Sequence, residues 1–172
     1  MRKLKLYIAT SLDGYIAGPN GELDWLEAAG DLDYGYDDFY ASIDTTLMGN
    51  ATYQVTLTVD TFPYPEKTNY VFTRSTPPPD TPHVRFISGE IAAFVRALKE
   101  APGRDIWLVG GGQINTIMLN AGLIDELILT AFPVVLGRGI PLFAPGATRS
   151  GFRTVGCETY ETSLIQWRLV KG

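Results

Sequence analysis

The chain has 172 residues, 45% of them hydrophobic and 19% charged, with a net charge of −5. That size and balance suit one globular domain with a real core, and the acidic charge argues against a protein held on nucleic acid by phosphate contacts. One cysteine, Cys157, excludes an internal disulfide, and one histidine, His83, leaves too few His and Cys ligands for a metal centre, so no metal is expected.

Leu4–Ser11 reads as a first strand, with Leu4, Leu6 and Ile8 on one face. The opening Met-Arg-Lys looks like a signal n-region, but Asp13 interrupts and the segment alternates. The pattern predicts a mature strand in a cytoplasmic protein. Asp13-Gly14 is a turn signal, Tyr15–Ala17 a short apolar return, and Gly18–Gly21 a loop. Tyr36, Phe39, Tyr40 and Ile43 fit an amphipathic helix over Tyr36–Ile43. Asp31, Asp33, Asp37 and Asp38 lie at its N-terminal end, where the helix dipole favours them.

Thr45–Met48 is a short strand, Ala51–Thr58 a short helix, and Asn69–Thr73 and Val84–Ile87 are strands around the proline loop. Ile91–Glu100 is an amphipathic helix, Ile106–Val109 a strand, and Ile114–Ala121 a helix that stops at Gly122. Leu123–Val135 is mostly strand, and Phe152–Gly156 and Leu164–Val170 form an antiparallel pair. Strands alternate with helices up to about residue 120. This predicts an α/β fold with a mostly parallel central sheet, right-handed crossovers and antiparallel C-terminal edge strands.

Ligands of open α/β sheets sit outside the carboxyl ends of the strands. Gly110-Gly111-Gly112 follow one strand and open a helix, which allows close backbone approach and offers free N–H groups to an anion. Gly49-Asn50-Ala51-Thr52 follow a second strand, and Thr73-Arg74-Ser75 a third. Each has a plain alternative, a tight turn or a surface residue. Together they point to a nucleotide-sized ligand across the sheet edge.

These residues resemble the dihydrofolate-reductase-like family, and more closely its riboflavin-biosynthesis pyrimidine-reductase branch. The matching pieces are KLYIATSLDGYIA (Lys5–Ala17), TTLMGNATYQ (Thr45–Gln54), NYVFTRS (Asn69–Ser75), WLVGGGQINTIMLNAGLIDELILT (Trp107–Thr130) and PVVLGRGIPLF (Pro133–Phe143). They keep the family's order over nearly the whole chain. The resemblance implies a single dihydrofolate-reductase-like domain over 1–172 with helices on both faces of the sheet. It also implies NADPH as cofactor, hydride transfer to a small heterocyclic or ribosylaminopyrimidine-like substrate, and a homodimer joined through the late strands.

Carried over, Ala9 and Ile16 would flank the nicotinamide. Gly49, Asn50, Ala51 and Thr52 would meet the pyrophosphate and adenosine end, and Thr73, Arg74 and Ser75 the adenosine ribose and its 2′-phosphate. Val109, Gly110, Gly111, Gly112 and Gln113, with Ile114 and Thr116, would line the nicotinamide and pyrophosphate. The peptide between the first two glycines is often cis in this family. Relatives commonly have Gly-Arg-x-Thr where Asn50 stands here, which leaves the grip on the 2′-phosphate, and the choice between NADPH and NADH, to Arg74.

In folate reductases a buried carboxylate on the first helix orients the substrate. Here the acid is Asp37 or Asp33, against the reading of both as solvated N-terminal carboxylates. Trp25 is either a lid over the substrate or a core aromatic, and Phe39 lies on the helix that would line the pocket. A true dihydrofolate reductase, or a non-catalytic nucleotide-binding member, are the alternatives.

Overall fold

The computed structural model describes residues 1–172, and the apolar alternation of its first strand builds the middle of a sheet. β1 (Leu4–Ser11) buries Leu4 and Leu6 wholly on one face and turns Tyr7 to the other. β2 (Tyr15–Ala17) follows a turn at Gly14, whose φ of +84° suits glycine. A 3-10 segment over Asp24–Ala29 leads to α1 (Tyr36–Ser42), β3 (Ile43–Gly49) and α2 (Asn50–Thr56). β4 (Thr68–Phe72), β5 (Val84–Ile87), α3 (Ile91–Glu100), β6 (Asp105–Gly110) and α4 (Gly112–Asn120) complete the alternating part. β7 (Glu126–Phe132), the two-residue β8 (Ile140–Pro141), β9 (Phe152–Thr159) and β10 (Ile165–Lys171) follow.

Eight strands form one sheet in the order β5-β4-β3-β6-β1-β7-β10-β9, and β2 pairs with β8 apart from it. The six strands from β5 to β7 run parallel, while β10 lies antiparallel to β7 and β9 antiparallel to β10. This is the mostly parallel α/β sheet with antiparallel C-terminal edge strands that the alternation predicts.

Helices cover both faces. On one, Val95 of α3 and Met118 and Leu119 of α4 pack against Leu4, Leu6, Leu47, Ile106 and Leu108. On the other, Phe39 of α1 packs with Ile43, Trp107 and Ile128, and Tyr53 of α2 with Met48, Val71 and Val84. Leu108 and Trp107 serve opposite faces because successive strand side chains do. Each large apolar side chain so buried contributes about 1.5–3 kcal/mol, which holds the register of every central strand.

Several boundaries differ from the sequence pattern: β9 runs on to Thr159, α2 covers Asn50–Thr56 and α4 Gly112–Asn120, and two further differences have a clear cause. Ile43 ends the predicted helix but has φ −110° and ψ 156° and begins β3. Its side chain is wholly buried, so the helical spacing matched a residue that the strand buries just as well. The predicted strand Leu123–Val135 is strand only over Glu126–Phe132. Gly122 (φ +65°) ends α4, and Asp125 turns its carboxylate inward to the Leu4 N–H at 2.7 Å and Lys99 Nζ at 2.5 Å. No helix is long and apolar enough to cross a membrane.

Candidate functional site

The sheet splits at its carboxyl edge. β1 and β6 pair only at Leu4–Ile106 and Lys5–Trp107, yet β1 runs on beside β7 to Ser11, and β6 beside β3 to Gly110. A cleft therefore opens between β1 and β6. Trp107 Nε1 donates to the Tyr7 carbonyl at 3.1 Å below it. Lys3 O accepts the Ile106 N–H, so by alternation the backbone groups of Ala9 face the gap.

Glycines form one wall. Gly110 has φ +115°, and the Gly110–Gly111 peptide is cis, as the resemblance implied. The Gly111 N–H donates to Thr52 Oγ1 at 3.0 Å, which joins the end of β6 to the first turn of α2. A Cβ on Gly49 would lie 3.1 Å from Ile114, and one on Gly112 would collide with the Pro141 carbonyl oxygen. Along this edge Thr73, Gly49–Asn50, Gly110–Gly111 and Ala9 stand on, or just past the ends of, neighbouring strands. The line spans three strand spacings, about 14 Å.

The segment after Gly137 straps the wall down. The Leu142 N–H donates to Gly14 O at 2.9 Å, Ala144 N–H to Gly112 O at 3.2 Å, and Asn115 Nδ2 to Leu142 O at 2.9 Å. A Cβ on Gly139 would strike the Ala17 carbonyl. This accounts for Gly139 and Gly112, which let the strap pass between β2 and α4. Thr116 is buried and its hydroxyl lies 2.9 Å from Gly112 O and 3.2 Å from Ala144 O, so it serves the strap.

Asp13 holds the strap's start. Its carboxylate accepts Ser11 Oγ–H at 2.7 Å and the N–H groups of Leu136 and Gly137 at 3.1 and 2.7 Å. Those hydrogen bonds, Ser11's first, hold its pKa below the ordinary carboxylate value.

On the α1 side, Ala9, Thr130 and Gln166 lie in one row across β1, β7 and β10. Gln166 Nε2 donates to Thr130 Oγ1 at 3.0 Å and to Tyr34 O at 3.1 Å, and Tyr7 donates its hydroxyl to the same carbonyl at 3.0 Å. Tyr34 sits at φ +53°, rare for a tyrosine. Phe39 is only 5% exposed, stacked on Tyr7 at 4.5 Å and edge-on to Trp107 at 5.3 Å. Burial, and secondarily the Asp33 charge, raise the Tyr7 pKa against the Gln166 hydrogen bond.

Asp33 and Asp37 are both exposed, and Asp33 Oδ1 accepts the Asp37 N–H at 2.9 Å as a helix-start contact. Asn50, Ala51, Arg74 and Ser75 are exposed, while Ala9, Ile16, Thr52, Thr73, Val109 and Ile114 are half-buried along the edge. Trp25 lies on the 3-10 segment, edge-on to Phe132 at 5.0 Å, with its Nε1 buried and unpartnered. It lines a cleft of about 280 Å³ with Asn20, Glu22 and Arg138.

Sequence reasoning missed Asn115, Tyr7, Thr130 and Gln166. Asn115 was visible in principle: with Met118 and Leu119 it occupies the i, i+3, i+4 positions of the buried stripe of α4, where a polar residue is out of place. The row Ala9–Thr130–Gln166 was not, because it joins three strands far apart in sequence.

Comparison with known proteins agrees with this geometry. The family model described as RibD C-terminal domain matches residues 2–166. "Uncharacterized protein YwjB" of Bacillus subtilis (strain 168) is 44% identical over 161 residues, 92% of each chain. The crystal structure of a "Putative riboflavin biosynthesis protein" from Shewanella sp. PV-4 superposes with a TM-score of 0.87 at 29% identity, covering 99% of both chains. Dihydrofolate reductase of Enterococcus faecalis, complexed with NADP(H), shares the fold with a TM-score of 0.73 at 20% identity, over 99% of this chain and 96% of its own. The chain belongs to the RibD C-terminal domain family and has the dihydrofolate-reductase-like fold.

Proposed function

We propose that this chain is a cytoplasmic NADPH-dependent reductase, one domain over residues 1–172, acting on a C=N or C=O bond of a small heterocyclic or ribosylaminopyrimidine-like substrate. The observation that carries the reading is the glycine-walled cleft between β1 and β6, on one edge with Gly49–Thr52 and Thr73–Ser75. The residues present fit a dinucleotide: Gly110 and Gly111 put no side chain on the wall of the cleft, and a buried carbonyl oxygen, Asn115 Oδ1, stands beside Gly110 without a partner. When bound, the cofactor supplies the hydride.

The protein's part is positioning. Ala9 and Ile16 flank the ring, and Val109 through Ile114 form its wall. Gly49, Asn50, Ala51 and Thr52 meet the pyrophosphate and adenosine end. Thr73, Arg74 and Ser75 hold the ribose and its 2′-phosphate, with Arg74 supplying charge where Asn50 has none. Trp25 closes over the substrate and Phe39 supports its pocket through Tyr7. The heteroatom of the reduced bond takes its proton from Asp33 or Asp37, both of which are open to solvent. β9 and β10, with Val155 45% exposed on the edge strand, form the contact of a homodimer; a monomer by light scattering contradicts that part.

The exposure of Asp33 and Asp37 favours a second reading, a nucleotide-binding member without turnover. Steady-state NADPH oxidation with a ribosylaminopyrimidine and with dihydrofolate separates these readings. Turnover of the pyrimidine supports the reductase proposed here, turnover of dihydrofolate alone a folate reductase, and cofactor binding with neither the non-catalytic form.

A further inference from the structure

We propose that Asn115 is a specificity-determining residue of this cleft, its Oδ1 accepting a hydrogen bond from the carboxamide N–H of a dihydronicotinamide. The inference rests on the cofactor reading above and adds a contact to it. Asn115 belongs to the first turns of α4 and is wholly buried. Its Nδ2 donates to Leu142 O, which fixes the amide with nitrogen toward the strap and oxygen away from it.

That oxygen has no partner in the protein. It lies 3.3 Å from the position a Gly110 Cβ would take, and Ile8 Cδ1 of β1 lies 3.7 Å from the same position. Oδ1 is thus at the floor of the gap between β6 and β1, beyond the last pair the two strands make. Gly110 has no side chain to cover it.

No donor of the protein pairs with Oδ1, and the polar groups beside it on the glycine wall are committed. The Gly111 N–H goes to Thr52, and the Thr116 hydroxyl lies against the carbonyls of Gly112 and Ala144. A buried acceptor left unpaired is destabilising, and an apolar side chain would suit the stripe of Met118 and Leu119 better. The donor therefore comes from a ligand. The dihydronicotinamide ring bears one N–H donor group, its carboxamide, on a flat body of the shape the glycine wall admits.

Calorimetric titration of the wild type and Asn115→Leu with NADPH and with its reduced 3-acetylpyridine analogue tests this. The analogue keeps the carbonyl and lacks the amide N–H. The wild type is expected to prefer NADPH, and the variant to lose about fivefold or more of that preference. A residue that only anchors the strap weakens both dinucleotides alike, so an unchanged ratio overturns the inference. Asn115→Ala repeats the cycle if leucine is not tolerated, with folding checked by thermal melting. Failure of the wild type to bind either dinucleotide overturns the cofactor reading, and the inference with it. Binding of both with an unchanged ratio overturns the inference alone.

Discussion

Thr52 Oγ1 accepts the Gly111 N–H at 3.0 Å, and this bond ties the first turn of α2, just after β3, to the end of β6. Two strand ends that look like separate glycine turns in the sequence are one structure. Thr52→Val keeps the shape and removes the acceptor. The Gly111 N–H is then left unpaired at about 1–3 kcal/mol, which lowers the melting temperature by roughly 3–10 °C for a domain of this size. Calorimetry reads that drop, and dinucleotide affinity should fall with it. Thr52→Ser should restore most of both, since it keeps the oxygen.

Gly112 faces the Pro141 carbonyl with no room for a methyl group. Gly112→Ala should force the strap away from α4 and disturb the Asn115–Leu142 and Ala144–Gly112 bonds together. Overpacking of this kind costs about 1–3 kcal/mol. Gly137→Ala tests a different constraint, a φ of +73° in open space, and should leave those strap bonds intact. Amide exchange at Ala144 distinguishes the two: faster in Gly112→Ala and unchanged in Gly137→Ala.

The central strands, the parallel sheet and the glycine edge were legible because hydrophobic period and turn residues act locally. Ile43 shows the limit: a residue buried in either state carries no information on which state it is in. The site's α1 side was not legible. Asp33 and Asp37 stand at the start of α1, and their exposure depends on how Tyr34, at φ +53°, bends the chain into that helix. Gln166 and Thr130 reach Tyr34 only after β10 has folded back on β7. Nothing local announces that contact.

Asp13 makes acid stability a readout of the strap. Its folded pKa is depressed by Ser11, Leu136 and Gly137, so its contribution is present above the unfolded carboxylate value, about 3.9, and is lost as pH falls through the lower folded value. The melting temperature of the wild type should exceed that of Asp13→Asn at neutral pH. The gap should hold down to about pH 5 and narrow below pH 4. A gap that stays constant down to pH 2 contradicts this role.

Five tyrosines, Tyr7, Tyr36, Tyr40, Tyr64 and Tyr160, have raised pKa values, chiefly through burial, with Tyr64 and Tyr160 pushed up to about 12. Groups with a raised folded pKa stabilise the fold below the unfolded value, near 10, and lose that contribution as pH rises through the folded value. Ultraviolet titration should show only part of the tyrosine absorbance change near pH 10. The rest should appear above pH 11, together with unfolding. Tyr64→Phe should remove part of the late step and leave the early one unchanged.

The most direct test of the proposed assignment of the β1–β6 cleft to a dinucleotide is titration of the purified chain with NADPH, followed by calorimetry and by quenching of tryptophan fluorescence. Saturable binding at one site per chain, weakened in Thr52→Val, is the predicted result. Absence of saturable binding up to millimolar NADPH would contradict the assignment of the β1–β6 cleft to a nicotinamide cofactor.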